Sequence, residues 1–298
     1  MSYFKFFAFI ALVSFFFSIA AATVPDSETF RFINNVKFGE GIAEYNASYR
    51  AFNNFFTFPF QLCFYNVTPG AYSLALSMGT GRPGFPLRWV WEANRGNLVA
   101  ENATFTLGKD GNLILAEADG DIVWQSVTAN KGVVGFKILP NGNMVLYDSA
   151  GNFLWQSFDS PTDTLLVGQS LRANSGGSHL ASRAFPSQTV NGNYGLILEG
   201  QRLVLYNNTQ NVPTILIQIG RGNIEFVRFN SDPKSNGLRL EYKVANSSTN
   251  GAMVLSKPNF NTILSYLRFG IDANLKAYTY DSSREVGAWK ETYALFIK

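Results

Sequence analysis

Two carboxylates four residues apart, Asp159 and Asp163, and one histidine, His179, carry the reactive chemistry that could make this chain an enzyme. Paired acids on either side of a sugar bond are the machinery of glycoside hydrolysis. A Ser-His-Asp relay would have to use His179, because the sequence holds no second histidine. Context argues against both. Asp159 and Asp163 bracket Ser-Pro-Thr, where acids cap or close a turn. His179 ends the run Asn174-Ser-Gly-Gly-Ser, which has the composition of a solvated loop. Asp119-Gly-Asp121 is too short for a calcium loop and reads as a hairpin turn. Cys63 is the only cysteine, so no intrachain disulfide can form. It has no metal-spaced partners and sits in the apolar run 58–65, as a buried thiol acting as a small hydrophobe would. No glycine-rich phosphate loop follows a strand and opens a helix. The sequence therefore predicts no catalytic centre, no metal and no cofactor.

The elements that would position side chains come from a repeat. Residues 104–126 read TFTLGKDGNLILAEADGDIVWQS, and residues 135–157 read GFKILPNGNMVLYDSAGNFLWQS. Asn112 aligns with Asn143 and Trp124 with Trp155. Each unit predicts a three-strand meander, because Asp-Gly and Asn-Gly supply the positive φ of tight hairpins and the strands alternate with period two. The segment 87–95, LRWVWEANR, matches the last strand of such a unit, with Trp91 in the role of Trp124. Weaker copies lie at 194–206, 235–242 and 267–280, the last followed by Trp289. A sheet with one apolar face cannot hide it alone, but three sheets around one axis can. Trp91, Trp124 and Trp155 would then meet as core residues, each contributing about 1.5–3 kcal/mol on full burial.

Composition agrees. The 27 Phe, 13 Tyr and 26 Gly favour strands and tight turns over helices. Lys and Arg total 24 against 21 Asp and Glu, with no basic block, so nucleic acid is not an expected partner. Lys5, the apolar run 6–19 and Ala20-Ala-Ala22 have the layout of a secretory signal peptide over 1–22. The run is shorter than the ~20 apolar residues of a spanning helix, so no membrane attachment is expected after cleavage. Five sequons, at Asn46, Asn66, Asn102, Asn207 and Asn246, fit secretion, and glycosylated sites are expected on exposed surface.

These features resemble the bulb-type (mannose-binding) lectin repeat. Residues 155–169, WQSFDSPTDTLLVGQ, look like the segment that closes this domain in S-locus glycoproteins and lectin receptor kinases. With 89–95, WVWEANR, the match is nearest to the plant epidermis-specific secreted glycoproteins. The resemblance implies an all-β fold: a β-prism II of three antiparallel sheets about a pseudo-threefold axis, then a second, degenerate prism. The expected division is an N-terminal segment 23–43, a lectin domain 44–165, a linker 166–190 and a second domain 191–298. The family usually continues into a cysteine-rich C-terminal module, which this sequence is expected to lack.

The family's mannose motif reads Q-x-D-x-N-x-V-x-Y. Alternate residues of a strand share a face, so these five form one row whose amides, carboxylate and hydroxyl can bond sugar hydroxyls while the valine packs on ring carbons. No copy here is complete. The second keeps Asn143, Val145 and Tyr147, with Asn141 at the Asp position, and is the best candidate; Asp110 and Asn112 of the first come next. The copy at 267–280 keeps Asp272, Asn274 and Tyr278. The same Asp and Asn residues are also what a tight turn needs. Two functions follow. One is a non-enzymatic binder of mannose-type or cell-wall glycans in the apoplast or cell wall. The other is a secreted structural or interaction protein that meets extracellular proteins as wall component, decoy or enzyme inhibitor.

Overall fold

The structure is a computed structural model that describes residues 23–173, 179–185, 188–207, 212–248 and 250–296, with the side chains of 212–216 left aside. The signal peptide expected at 1–22 lies outside the described residues.

Asx turns and glycine turns break the chain into short antiparallel hairpins. The strands of the first half are β1 (Phe30–Ile33), β2 (Ser48–Thr57), β3 (Phe60–Thr68), β4 (Ala71–Met78), β5 (Arg88–Glu92), β6 (Thr104–Leu107), β7 (Leu113–Ala116), β8 (Ile122–Gln125), β9 (Gly135–Ile138), β10 (Met144–Tyr147) and β11 (Phe153–Gln156). They form three sheets, ordered β2-β3-β4-β5, β1-β6-β7-β8 and β11-β10-β9. Inward positions such as Leu62, Leu74, Phe105, Leu115, Phe136 and Leu146 build one shared core. Trp91, Trp124 and Trp155 come one from each sheet, on β5, β8 and β11. Their rings meet edge to face at centroid separations of 5.9, 6.2 and 5.6 Å. That geometry sets the positive rim of one indole against the negative face of the next. Only Trp91 is fully buried; Trp124 and Trp155 are half-buried at the end of the core.

The second half repeats the plan. Its strands are β12 (Thr164–Leu166), β13 (Ser170–Arg172), β14 (His179–Arg183), β15 (Asn191–Glu199), β16 (Arg202–Asn207), β17 (Val212–Gln218), β18 (Ile224–Asp232), β19 (Gly237–Val244), β20 (Asn250–Ser256), β21 (Ser265–Phe269), β22 (Leu275–Tyr280) and β23 (Trp289–Ala294). The sheets are β14-β15-β16-β17, β13-β18-β19-β20 and β12-β21-β22-β23. A second core of Leu180, Leu196, Leu203, Val227, Phe229, Leu240, Leu267 and Phe269 lies among them. The fold is all-β, a three-walled prism occurring twice.

Paired strands lie within two of the expected stretches. The stretch 166–190 is not a bare linker: β13 and β14 lie in it, β12 ends at its start, and each adds the fourth strand to a different sheet. Strands of three to five residues suffice there because pairing satisfies one exposed sheet edge. The segment 23–43 likewise carries β1, which pairs with β6 in register Phe30–Leu107 to Ile33–Thr104.

Candidate functional site

The turns before β7 and β10 determine what the motif residues can do. Asp110 Oδ1 accepts the backbone N–H of Asn112 at 3.1 Å, and Asn141 Oδ1 accepts that of Asn143 at 3.2 Å. These are Asx turns, with Gly111 and Gly142 at φ of 81° and 85° between them. Gly142 is fixed by space as well, since a Cβ there would stand 2.6 Å from both Phe60 and Leu166.

The asparagines that follow are turned inward. Asn112, 5% exposed, donates from Nδ2 to Gln125 at 2.8 Å and accepts from Ser126 Oγ and Thr128 N, both at 3.1 Å. Asn143, 4% exposed, donates to Gln156 at 2.9 Å and accepts from Phe158 N at 3.2 Å and Ser157 Oγ at 3.4 Å. In the last copy, Asn274 donates to Phe296 O at 2.8 Å and accepts Phe296 N at 3.0 Å. Each asparagine thus clamps the far end of the next strand in its sheet, and its polar atoms are occupied within the fold. Two further residues of the expected row are also engaged by the fold. Val145 is 0% exposed and so offers no surface to a sugar ring. Tyr147 packs on Gly135 and lies under the Lys137 ammonium, 4.4 Å from the ring centre.

What remains open is a groove of about 260 Å³ where β9–β11 meet the edge of the second prism. One wall holds Asn141, Asn143, Gln156 and Asp159; the other holds Ser170, Arg172 and Arg228; Leu139, Phe153 and Phe158 supply apolar surface. Gln156 links the first wall. Its Oε1 takes Asn143, and its Nε2 donates to Asp159 Oδ1 and Oδ2 at 3.1 and 3.0 Å. Asp159 stands in the short 3-10 turn Ser157–Asp159, exposed, with lone pairs left to accept hydroxyls. Arg228 Nε donates to Ser170 Oγ at 3.2 Å. Carboxylate, amides, guanidinium groups and apolar side chains in one open groove offer acceptors, donors and apolar walls to a small polar ligand.

Of the motif residues, Asn141 and Asn143 line this groove, whereas Asp110, Asn112, Val145 and Tyr147 do not. Gln156, Asp159, Arg172 and Arg228 were not expected there. The repeated Trp-Gln-Ser could have pointed to Gln156, but nothing in the sequence brings Arg228 beside it.

The candidate catalytic residues separate. Asp163 is buried beside Arg95 at 2.9 Å, Arg183 at 3.5 Å and Arg268 at 3.8 Å, whereas Asp159 faces solvent. Burial pushes the Asp163 carboxyl up, but Arg95 and Arg268 outweigh it and hold the group below the usual carboxylate range. His179 is exposed at the start of β14. Asp119 Oδ1 accepts Asp121 N at 3.2 Å, a closed turn. Among the described residues, no group of three or more His, Cys, Asp or Glu is placed to hold a metal.

The sequons divide as well. Asn46, Asn102 and Asn246 are exposed, and all three take positive φ, which asparagine tolerates. Asn207 is half-buried at the end of β16. Asn66 departs from the expected exposed position. It lies on β3 opposite Ser48 and is 7% exposed.

Comparison with known proteins fits this geometry. The D-mannose binding lectin family matches residues 88–188. Epidermis-specific secreted glycoprotein EP1 of Daucus carota is 50% identical over 289 residues, 92% of this chain and 74% of that protein. EP1-like glycoprotein 2 of Arabidopsis thaliana is 45% identical, over 99% of this chain and 71% of its own. Among solved structures, the fetuin-binding two-domain lectin of Scilla campanulata aligns with 90% of this chain and 99% of its own at 15% identity. Its TM-score of 0.27 adds no weight to any structural conclusion.

Proposed function

The chain belongs to the family of EP1-like secreted glycoproteins that carry a D-mannose binding lectin domain, and from that membership we propose that it is an extracellular glycan-binding protein with no catalytic step of its own. The carrying observation is the linked set Asn143–Gln156–Asp159, which ends in an exposed carboxylate inside the groove between the prisms. The site is this groove rather than the face of β10, because Asn143 is committed to its clamp. Asn141 and Asp159 bond ligand hydroxyls, and Phe153 and Phe158 wall the ring. Mannose-type and cell-wall glycans are the ligand classes. We take each three-sheet prism as a domain, with the groove at their junction. Single shallow sites of this kind bind weakly, and repetition along a glycan raises the avidity.

A second reading draws on the same clamps. With Asn112, Asn143 and Asn274 all engaged internally, the prism can persist with no sugar site, as a wall component, decoy or enzyme inhibitor acting on extracellular proteins. A glycan array of the secreted protein beside Asp159→Ala and Tyr147→Ala separates the two. Binding lost in Asp159→Ala and kept in Tyr147→Ala supports the groove. No signal on any glycan supports the second reading.

A further inference from the structure

The groove does not end at Asp159. Arg228 lines both this groove and a second one of about 510 Å³ on the outer face of β18–β20. On β18, Val227 and Phe229 point into the core, so Phe226 and Arg228 point out. Register places Arg172 opposite Phe226 and Ser170 opposite Arg228. Both guanidinium groups lie against the Phe226 ring, Arg172 at 5.6 Å and Arg228 at 5.0 Å from its centre.

Charge on this face is unbalanced at one place. Lys243 is paired with Glu225 at 2.8 Å, and Glu241 with Arg239 at 3.3 Å. Asp159, the acid at the far end, is bonded by Gln156. Arg172 is exposed and has no hydrogen-bond or ion-pair partner among the described residues. Arg228 uses only Nε, on Ser170, which leaves both terminal nitrogens without a protein acceptor among the described residues. Two arginines held by one ring, with forks directed at open groove, match the planar oxygen pair of a carboxylate.

Building on the glycan-binding reading, we propose that the groove takes an acidic glycan, a uronate-containing chain, with sugar carboxylates on Arg172 and Arg228, one ring over Phe226 and neighbouring hydroxyls on Asn141 and Asp159. The two grooves share Arg228 and together have room for more than one sugar, and a carboxylate on successive rings answers the two cations.

The test uses the secreted full chain with three probes: an oligomer of galacturonic acid, its fully methyl-esterified form, and a neutral mannose oligomer of the same length. The acid oligomer binds, binding weakens as salt rises, and methyl esterification abolishes it. Arg172→Ala and Arg228→Ala each weaken it by roughly 10- to 100-fold, the loss expected for charge-assisted hydrogen bonds, and Arg172→Lys retains part of it. Arg172 is exposed and, among the described residues, has no hydrogen-bond or ion-pair partner, so thermal melting of Arg172→Ala should stay close to the parent and the loss is one of binding. Equal affinity for acid and ester, or unchanged affinity in both alanine variants, overturns the proposal. Binding of the mannose oligomer alone leaves the glycan reading intact and refutes this one. Binding of none refutes both.

Discussion

Arg268 on β21 reaches Glu44, 224 residues earlier in the chain, with Nη1 2.6 Å from Oε1 and side chains 10% and 9% exposed. The same guanidinium donates to Thr164 Oγ1 at 3.1 Å and to Trp89 O at 2.6 Å. Glu44 also accepts from Arg88 at 3.3 Å. The pair ties a strand of the second prism to the entry of β2, and each charge is shared among several partners. Removing Arg268 leaves the buried Glu44 carboxylate with only the part-exposed Arg88 and takes one of its three arginines from Asp163. Arg268→Ala should therefore cost about 3–5 kcal/mol in urea unfolding. Arg268→Met paired with Glu44→Gln should cost less than the single change, because the buried carboxylate is neutralised together with the cation it faced.

Asp163 makes the stability of this region depend on acid. Its folded carboxyl sits below its unfolded value because Arg95 and Arg268 overcome the effect of burial. A depressed carboxyl contributes stability that is fully present above the unfolded value, near pH 4. It is lost as pH falls from there through the lower folded value. Melting temperature should thus hold from neutral pH down to about 4 and fall steeply below it. Asp163→Asn should lower stability at neutral pH and flatten that acid slope; an unchanged slope would refute the assignment.

Asn143 and Asn112 should behave as structural residues. Asn143→Ala strands the Phe158 N–H and the Gln156 amide that it bonds, and should cost about 1–3 kcal/mol by denaturant titration. Tyr147→Ala, by contrast, should leave glycan binding intact. A variant Asn143→Ala that kept full stability would return this residue to the role of ligand.

The hairpins were legible because their chemistry is local. Asp110, Asn141 and Asp272 each accept the N–H two residues on, within three letters of sequence. The meeting of Trp91, Trp124 and Trp155 was legible from the matching positions of Trp124 and Trp155 in the two repeats and a shared strand position for Trp91. β12, β13 and β14 were hidden because strands so short carry no periodicity, and their neighbours Pro161 and Gly168 resemble a loop. The groove was hidden for a different reason. Gln156 and Arg228 line one groove only because β13 carries the chain across to β18. Topology, not spacing, brings them together.

Cys63 should resist modification. It is 0% exposed on β3, 3.7 Å from Ser77 Oγ, and burial pushes its thiol up to about 12 against the opposing Ser77 contact. At pH 8 the thiolate is negligible, and no reagent reaches the sulfur. Ellman titration of the folded protein should show no rapid thiol, and one full equivalent in denaturant. Fast labelling in the native state would refute this, as would a disulfide-linked dimer.

Glycan occupancy should follow the folded surface rather than the sequon count. Asn46, Asn102 and Asn246 are exposed at positive φ, so a sugar on Nδ2 points into solvent. Asn66 is different. It lies within β3 opposite Ser48, the residue that completes the sequon of Asn46, and both asparagines line one groove of about 320 Å³. A glycan on Asn66 would have to pass through the space that one on Asn46 occupies, and would displace side chains that leave Asn66 only 7% exposed. Peptide mapping of the secreted protein after enzymatic deglycosylation should therefore find Asn46, Asn102 and Asn246 converted to aspartate and Asn66 unchanged. Asn46→Gln should remove one glycan from the intact mass without a gain at Asn66. A fully occupied Asn66 would mean that β3 and β2 pair in another register at this end of the sheet.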